Sequence, residues 1–259
     1  MLFRSVGTMP RGVTVDANGR FAYVANEGSN NVSAFTINST SGALTGVAGS
    51  PFAAGTTPRG ATVDPTGQWV YVANAGSNSI SAFTINRGDG RLTPVTGSPF
   101  AAGASPRAVT VDPSGRFAYV ANETSNSISV FTINSTTGAL APVGGPVAAG
   151  TNPVSITVDP TGRMAYVVNQ GSNNVSTFSI NGTTGALTAV GAPVATGNLP
   201  ASATADLSGR WLYVANLGSS DVSVYTIDGT TGELMAGGTF VGAPPVNGSF
   251  NIVATGVLQ

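Results

Sequence analysis

A unit of 47 or 48 residues recurs at least five times along the chain, and this period limits the fold more than any other feature. Prolines at positions 10, 58, 106, 153 and 200 open successive copies, at intervals of 48, 48, 47 and 47. In each copy an acid follows (Asp16, Asp64, Asp112, Asp159, Asp206), then a tyrosine (Tyr23, Tyr71, Tyr119, Tyr166, Tyr213), then an asparagine (Asn26, Asn74, Asn122, Asn169, Asn216).

The first copy reads as four strands. Val13 to Asp16 is a short run stopped by Ala-Asn-Gly, a turn that the later copies write more strongly as Asp-Pro-Thr-Gly or Asp-Pro-Ser-Gly. Arg20 to Asn26 alternates aromatic and small residues. Asn31 to Asn38 sets Ser33, Phe35 and Ile37 on one face and Val32 and Ala34 on the other. A fourth strand starts at Ala43 and Leu44 and runs toward Pro51 and Phe52, where a proline suits an outer edge. Both faces of such a sheet are largely apolar or small, so a single copy leaves one of them in water whichever way it turns. Four-stranded repeats of this length solve the problem by stacking as the blades of a β-propeller.

The expected fold is therefore all-β, a single propeller domain of four-stranded antiparallel blades. Five complete blades span approximately 10–57, 58–105, 106–152, 153–199 and 200–244. Phe3 to Pro10 aligns with Pro51 to Pro58, and Ser249 to Thr255 reads as a divergent first strand. The terminal segments 1–9 and 245–259 thus either close a five-bladed ring, form a partial further blade, or belong to a larger ring completed by another chain.

Composition removes several chemistries. The chain has no cysteine, histidine or lysine, which excludes disulfides, thiolate nucleophiles, Schiff bases and the commonest metal ligand. No metal site and no cofactor is expected. All ten basic residues are arginine, against eleven acids, and a net charge of −1 gives no field to attract nucleic acid. No stretch has the length and apolarity of a membrane span, and the N-terminus lacks a signal-peptide core. An extracellular or periplasmic location is the expectation. The Asn-x-Ser/Thr strings, such as Asn38-Ser39-Thr40, are too common in this composition to argue for glycosylation.

The string Tyr-Val-Ala-Asn-x-Gly-Ser-Asn-x-Val/Ile-Ser, preceded by Asp-Pro-Thr-Gly-Arg and followed by Thr-Gly-Ala-Leu, resembles the lactonase-type and YVTN-repeat β-propellers over residues 10–240. Propellers that look like 6-phosphogluconolactonase or the carboxymuconate cycloisomerases normally have seven blades. The cycloisomerases use histidine, arginine and glutamate in a central cleft. This chain differs on both counts, with five evident copies and no histidine. The resemblance implies the architecture, and its motifs are blade scaffolding that every copy carries.

Chemistry is better sought where the copies differ. Arg11, Arg59 and Arg107 follow the opening proline in three consecutive blades, whereas the next two carry Val154 and Ala201. Converging guanidiniums suit a carboxylate, a phosphate or a sugar acid; alternatively they bond neighbouring loop carbonyls. Glu27, Glu123 and Gln170 follow the recurrent asparagine at a position held elsewhere by Ala75 and Leu217. Either glutamate is a candidate catalytic base activating water, or an exposed loop acid. Asn26, Asn74 and Asn122 join the arginines and Gln170 as candidate ligand contacts on the same rim, with a loop-capping role as the alternative.

Two functions fit these residues. The first is a non-catalytic scaffold for binding or assembly, with a small polar or anionic ligand or a glycan as partner and self-association through repeated edges. The second is a lactonase-like hydrolase acting on a small acidic or sugar-derived lactone. The stacking argument itself is checked simply. A peptide covering residues 10–57 alone should show no cooperative thermal transition and no stable β circular-dichroism signal, because one apolar face has no partner.

Overall fold

The computed structural model describes residues 6–241 and is all-β, with the blade pattern of a propeller: five antiparallel sheets follow one another along the chain. In the first sheet the strands are β1 (Pro10–Val15), β2 (Phe21–Asn26), β3 (Asn31–Ile37), β4 (Leu44–Gly46) and β5 (Phe52–Ala53). Their order is β1-β2-β3-β4, with β5 also pairing on β3. The expected terminal strands over 1–9 and 245–259 lie outside the described residues except for 6–9, which form no strand.

Two expectations of strand extent are corrected. The first strand begins at the proline, three residues earlier than the apolar run suggests, because Pro10 pairs with Asn26 and a register shift before Val13 absorbs one extra residue. The fourth strand of the first three sheets is broken into two short pieces, such as Leu140–Pro142 and Val147–Ala148. In the first two sheets the intervening segment contains Gly-Ser-Pro, whose proline donates no ladder bond. The side chain of Ser50 instead accepts from the Ala34 amide at 2.9 Å, and Ser98 does the same for Ala82 at 2.9 Å. In the fourth and fifth sheets the outer strand is continuous, Leu187–Ala195 and Leu234–Val241.

The recurrent acid holds the first hairpin of each copy. Asp64 Oδ1 accepts the amides of Gln68 and Trp69, both at 2.7 Å, while Oδ2 takes the Thr66 amide and hydroxyl. Asp112, Asp159 and Asp206 repeat this set with Ser114, Thr161 and Ser208. The first copy lacks the hydroxyl, since Asn18 stands in its place, and Asp16 Oδ2 faces Arg20 at 3.8 Å instead.

The contacts form two compact units, residues 1–120 with 131–142, and residues 121–130 with 143–259. In the first unit, Phe21, Tyr23, Val32 and Val47 of the first blade pack against Val70, Val72, Phe83 and Leu92 of the second. The other face of the second blade, with Trp69, Tyr71 and Ile80, packs on Val109, Val120, Phe131 and Leu140 of the third. In the second unit, Met164, Tyr166, Val168 and Val175 of the fourth blade meet Leu212, Val214, Tyr225 and Leu234 of the fifth.

A polar clasp accompanies each of these layers. The Tyr23 hydroxyl donates to the Gly90 carbonyl of the next blade at 3.1 Å, Tyr71 to Gly138 at 2.9 Å and Tyr166 to Gly232 at 3.2 Å. These phenols are fully buried, and burial pushes their pKa well above the ordinary tyrosine value. The acceptor must be glycine for two reasons. Its φ is positive, +73° at Gly138, and a Cβ there would lie 2.3 Å from the Trp69 ring. Tyr71→Phe should therefore cost about 1–2 kcal/mol in denaturant unfolding, since it strands a buried carbonyl. Tyr213→Phe, whose half-buried hydroxyl has no acceptor among the described residues, should stay within about 0.5 kcal/mol of the parent.

Candidate functional site

In the first unit three first strands lie side by side with almost no space between their backbones. A Cβ on Gly12 would sit 2.5 Å from the Arg59 carbonyl oxygen, and one on Gly60 would sit 2.6 Å from that of Arg107. Only glycine permits this approach, and each glycine directly follows the arginine of its own strand. The sequence thus places Arg11, Arg59 and Arg107 at the same step of three adjacent strands.

Glu27 completes the group. It follows β2, where its amide donates to the Met9 carbonyl at 2.9 Å and fixes the loop. Its carboxylate bridges two blades, with Oε2 2.5 Å from Arg11 Nε and Oε1 3.1 Å from Arg59 Nε. The carboxylate side chain is 10% exposed, against 47% for Arg11 and 28% for Arg59, so the two guanidiniums form the accessible side of the cluster. Burial by itself would raise the Glu27 pKa. The hydrogen bonds from Arg11 and Arg59, reinforced by their charges, more than offset it and hold the carboxyl below its ordinary value.

The remaining candidates are distributed differently. Arg107 is half-buried in the strand Pro106–Val111. Glu123, at the position equivalent to Glu27, belongs to the second unit, where its carbonyl accepts from Asn152 Nδ2 at 3.4 Å. Gln170 reaches the following blade as Glu27 does, its Nε2 donating to the Pro200 carbonyl at 3.3 Å. Asn26, Asn74 and Asn122 are fully buried. Their side-chain amides donate to the third strand of their own blades, Asn26 to Asn31 at 2.8 Å and Ser33 at 2.9 Å, Asn74 to Ser81 at 2.9 Å and Asn122 to Ser129 at 2.9 Å. In this arrangement the amides tie the loop after the second strand to the sheet beneath it.

Sequence reasoning grouped the arginines but missed the bridge. Its signal is the coincidence of an acid after Asn26 with arginines in that blade and the next. The second and third blades break the pattern, since Ala75 precedes Arg107 and Glu123 precedes Val154. Among the described residues no group of three or more histidine, cysteine, aspartate or glutamate side chains could hold a metal ion. No helix is long and apolar enough to cross a membrane there, which leaves strands unaddressed.

A sequence profile of lactonases with a seven-bladed β-propeller matches residues 7–154 and 147–247. No curated protein matches the chain in sequence. Among solved structures it is similar to a candidate 6-phosphogluconolactonase from Bacteroides fragilis, with 25% identity and a TM-score of 0.76 over 86% of this chain and 67% of that one. A candidate 6-phosphogluconolactonase from Bacteroides uniformis shares 20% identity with a TM-score of 0.69, over 93% of this chain and 88% of the other. The periplasmic gluconolactonase of Pseudomonas aeruginosa shares 20% identity with a TM-score of 0.76, over 90% and 70%.

Side-chain NMR titration tests the bridge. Glu27 should titrate below 4.5, its ordinary value. In Arg59→Ala it should move back up, because one of the two donors to the charged form is gone.

Proposed function

Since this chain belongs to the lactonase β-propeller family, we propose that it hydrolyses a small acidic or sugar-derived lactone at the cluster of Arg11, Glu27, Arg59 and Arg107. The observation that carries the reading is the placement of Arg11 and Arg59, both partly exposed, on one buried carboxylate. With two guanidiniums to one carboxylate, that triad has a formal charge of +1, which favours an anionic or strongly polar substrate. The candidate 6-phosphogluconolactonases and the gluconolactonase among its structural neighbours fit a sugar-acid lactone best.

The chemistry asks little of the protein. Water adds to the lactone carbonyl carbon while a carboxylate accepts one of its protons. A guanidinium hydrogen-bonds the oxyanion that develops. Collapse of the tetrahedral species breaks the ring C–O bond, and the proton passes to the departing ring oxygen, giving a hydroxy acid. Glu27, kept ionised, serves as the base; Arg59 and Arg107 orient the substrate. The Asn26 and Asn74 loops shape the rim. The gluconolactonase relative is periplasmic, and the reading places this protein outside the cytoplasm too.

The tight hold of both arginines on Glu27 also favours a second reading, in which the cluster binds a sugar acid or glycan without turning it over. Family membership supports the hydrolase more strongly than this scaffold. Turnover of glucono-1,5-lactone, followed by acid release, separates the two. A hydrolase should lose on the order of 100-fold in kcat/KM in Arg59→Ala and in Glu27→Gln. A parent protein that binds gluconate but shows no turnover would leave only the scaffold.

A further inference from the structure

Two side chains of one loop cross from the first blade to the second. Glu27 Oε1 accepts from Arg59 Nε at 3.1 Å, and three residues on, Asn30 Oδ1 accepts from the Thr57 amide at 2.8 Å. Asn30 is an exposed residue, where water could serve its side chain equally well, yet its carbonyl is spent on this one amide.

The conformation of Thr57 explains the contact. Thr57 is β-branched and stands directly before Pro58, and each feature disfavours its φ of +54°. The residue is gripped from both sides: Asn30 takes its amide, and its carbonyl accepts the Ala75 amide of the second blade at 2.9 Å. Pro58 is buried and its ring fixes φ, so the path of the chain into Arg59 is set at Thr57. Asn30 is itself anchored, at a φ of +55° that asparagine tolerates. Its amide donates to the Asn26 carbonyl at 3.0 Å, and its carbonyl accepts from the Ala54 amide at 3.1 Å.

The next blade repeats the device. Asn78 Oδ1 accepts the Ser105 amide at 2.8 Å, Ser105 has a φ of +55°, and Arg107 stands two residues further on. In the second unit Asn126 and Asn173 hold the amides of Asn152 and Leu199, both at 2.8 Å, but the residues two places on are Val154 and Ala201. The contact builds the blade junction in all four places, and in two of them an arginine follows it.

We infer that Asn30 and Asn78 are positioning residues for the arginine cluster: by holding the left-handed residue two places ahead, they set where Arg59 and Arg107 present their guanidiniums. Asn30 acts on the Glu27 bridge through Thr57 and Arg59. That much stands on geometry alone, and only its kinetic consequence rests on the hydrolase reading.

Asn30→Gly tests the inference, since glycine accepts the positive φ and the variant loses only the acceptor on an exposed side chain, so the fold is retained. Exchange of the Arg59 Nε–H with solvent, followed by NMR, should quicken roughly three- to tenfold, as expected when one hydrogen bond no longer orders the donor. Glu27 should titrate higher than in the parent, in the direction of Arg59→Ala but less far. Asn30→Asp keeps an acceptor oxygen and should keep the Nε–H exchange slow. Asn173→Gly deletes the same contact ahead of Ala201 and should leave both signals as they are in the parent. With glucono-1,5-lactone, Asn30→Gly should lower kcat/KM by a similar factor and Asn173→Gly should not. A protein that turns over no lactone removes the hydrolase reading, while the two NMR signals still decide the positioning role. Arg59 exchange and Glu27 titration that stay unchanged in Asn30→Gly, or that change equally in Asn173→Gly, overturn it.

Discussion

Every other feature of this protein depends on hiding both faces of each sheet. A β-strand points alternate side chains to opposite sides, and here both sides are apolar, so a blade is stable only between neighbours. The second blade shows the arrangement completely. Val70, Val72 and Phe83 face the first blade, while Trp69, Tyr71 and Ile80 face the third, and all are at most 4% exposed. Apolar contact alone would let such sheets slide over one another. The tyrosine-to-glycine clasp removes that freedom, since its hydroxyl must find one carbonyl and its ring neighbours tolerate no side chain at the turn.

The division between what was legible in the sequence and what was not follows the same physics. Interactions made within one copy repeat with it and can be read from spacing. Asp64 caps the turn it begins, and Asn74 bonds to serines five and seven residues further on. Tyr71, by contrast, was visible as a recurrent residue, but its partner Gly138 lies in another copy, 67 residues away. Strand limits failed where a backbone irregularity outweighed the apolar pattern, as at the Pro10 register shift and at the Gly-Ser-Pro breaks in the fourth strand. The Glu27 bridge was hidden for a further reason: it joins positions that the period marks as equivalent but that differ in side chain from copy to copy.

That last point separates scaffold from site. A residue needed to build a blade is needed in every blade, which is why the Asp16 and Asn26 series recur without exception. A site needs different side chains around a common centre, so it has to be written in departures from the repeat. Arg11, Arg59 and Arg107 against Val154 and Ala201 are one such departure, and Glu27 against Ala75 is another. The three arginines lie in the strands that Gly12 and Gly60 allow to approach closely, and Glu27 bridges the first two of them.

The electrostatics of the cluster then constrain how it can work. A carboxylate that accepts from two guanidiniums is a weaker base than a solvated one, because losing its charge means breaking both contacts. The same contacts hold Arg11 and Arg59 at fixed positions, so an incoming anion meets donors that are already oriented. A lactone is an activated ester, and attack by water on it needs an organised oxyanion site more than a strong base. A cluster whose positive charge exceeds its negative charge, with its one carboxylate locked in the ionised form, meets that need better than it meets the needs of a reaction requiring proton abstraction from carbon.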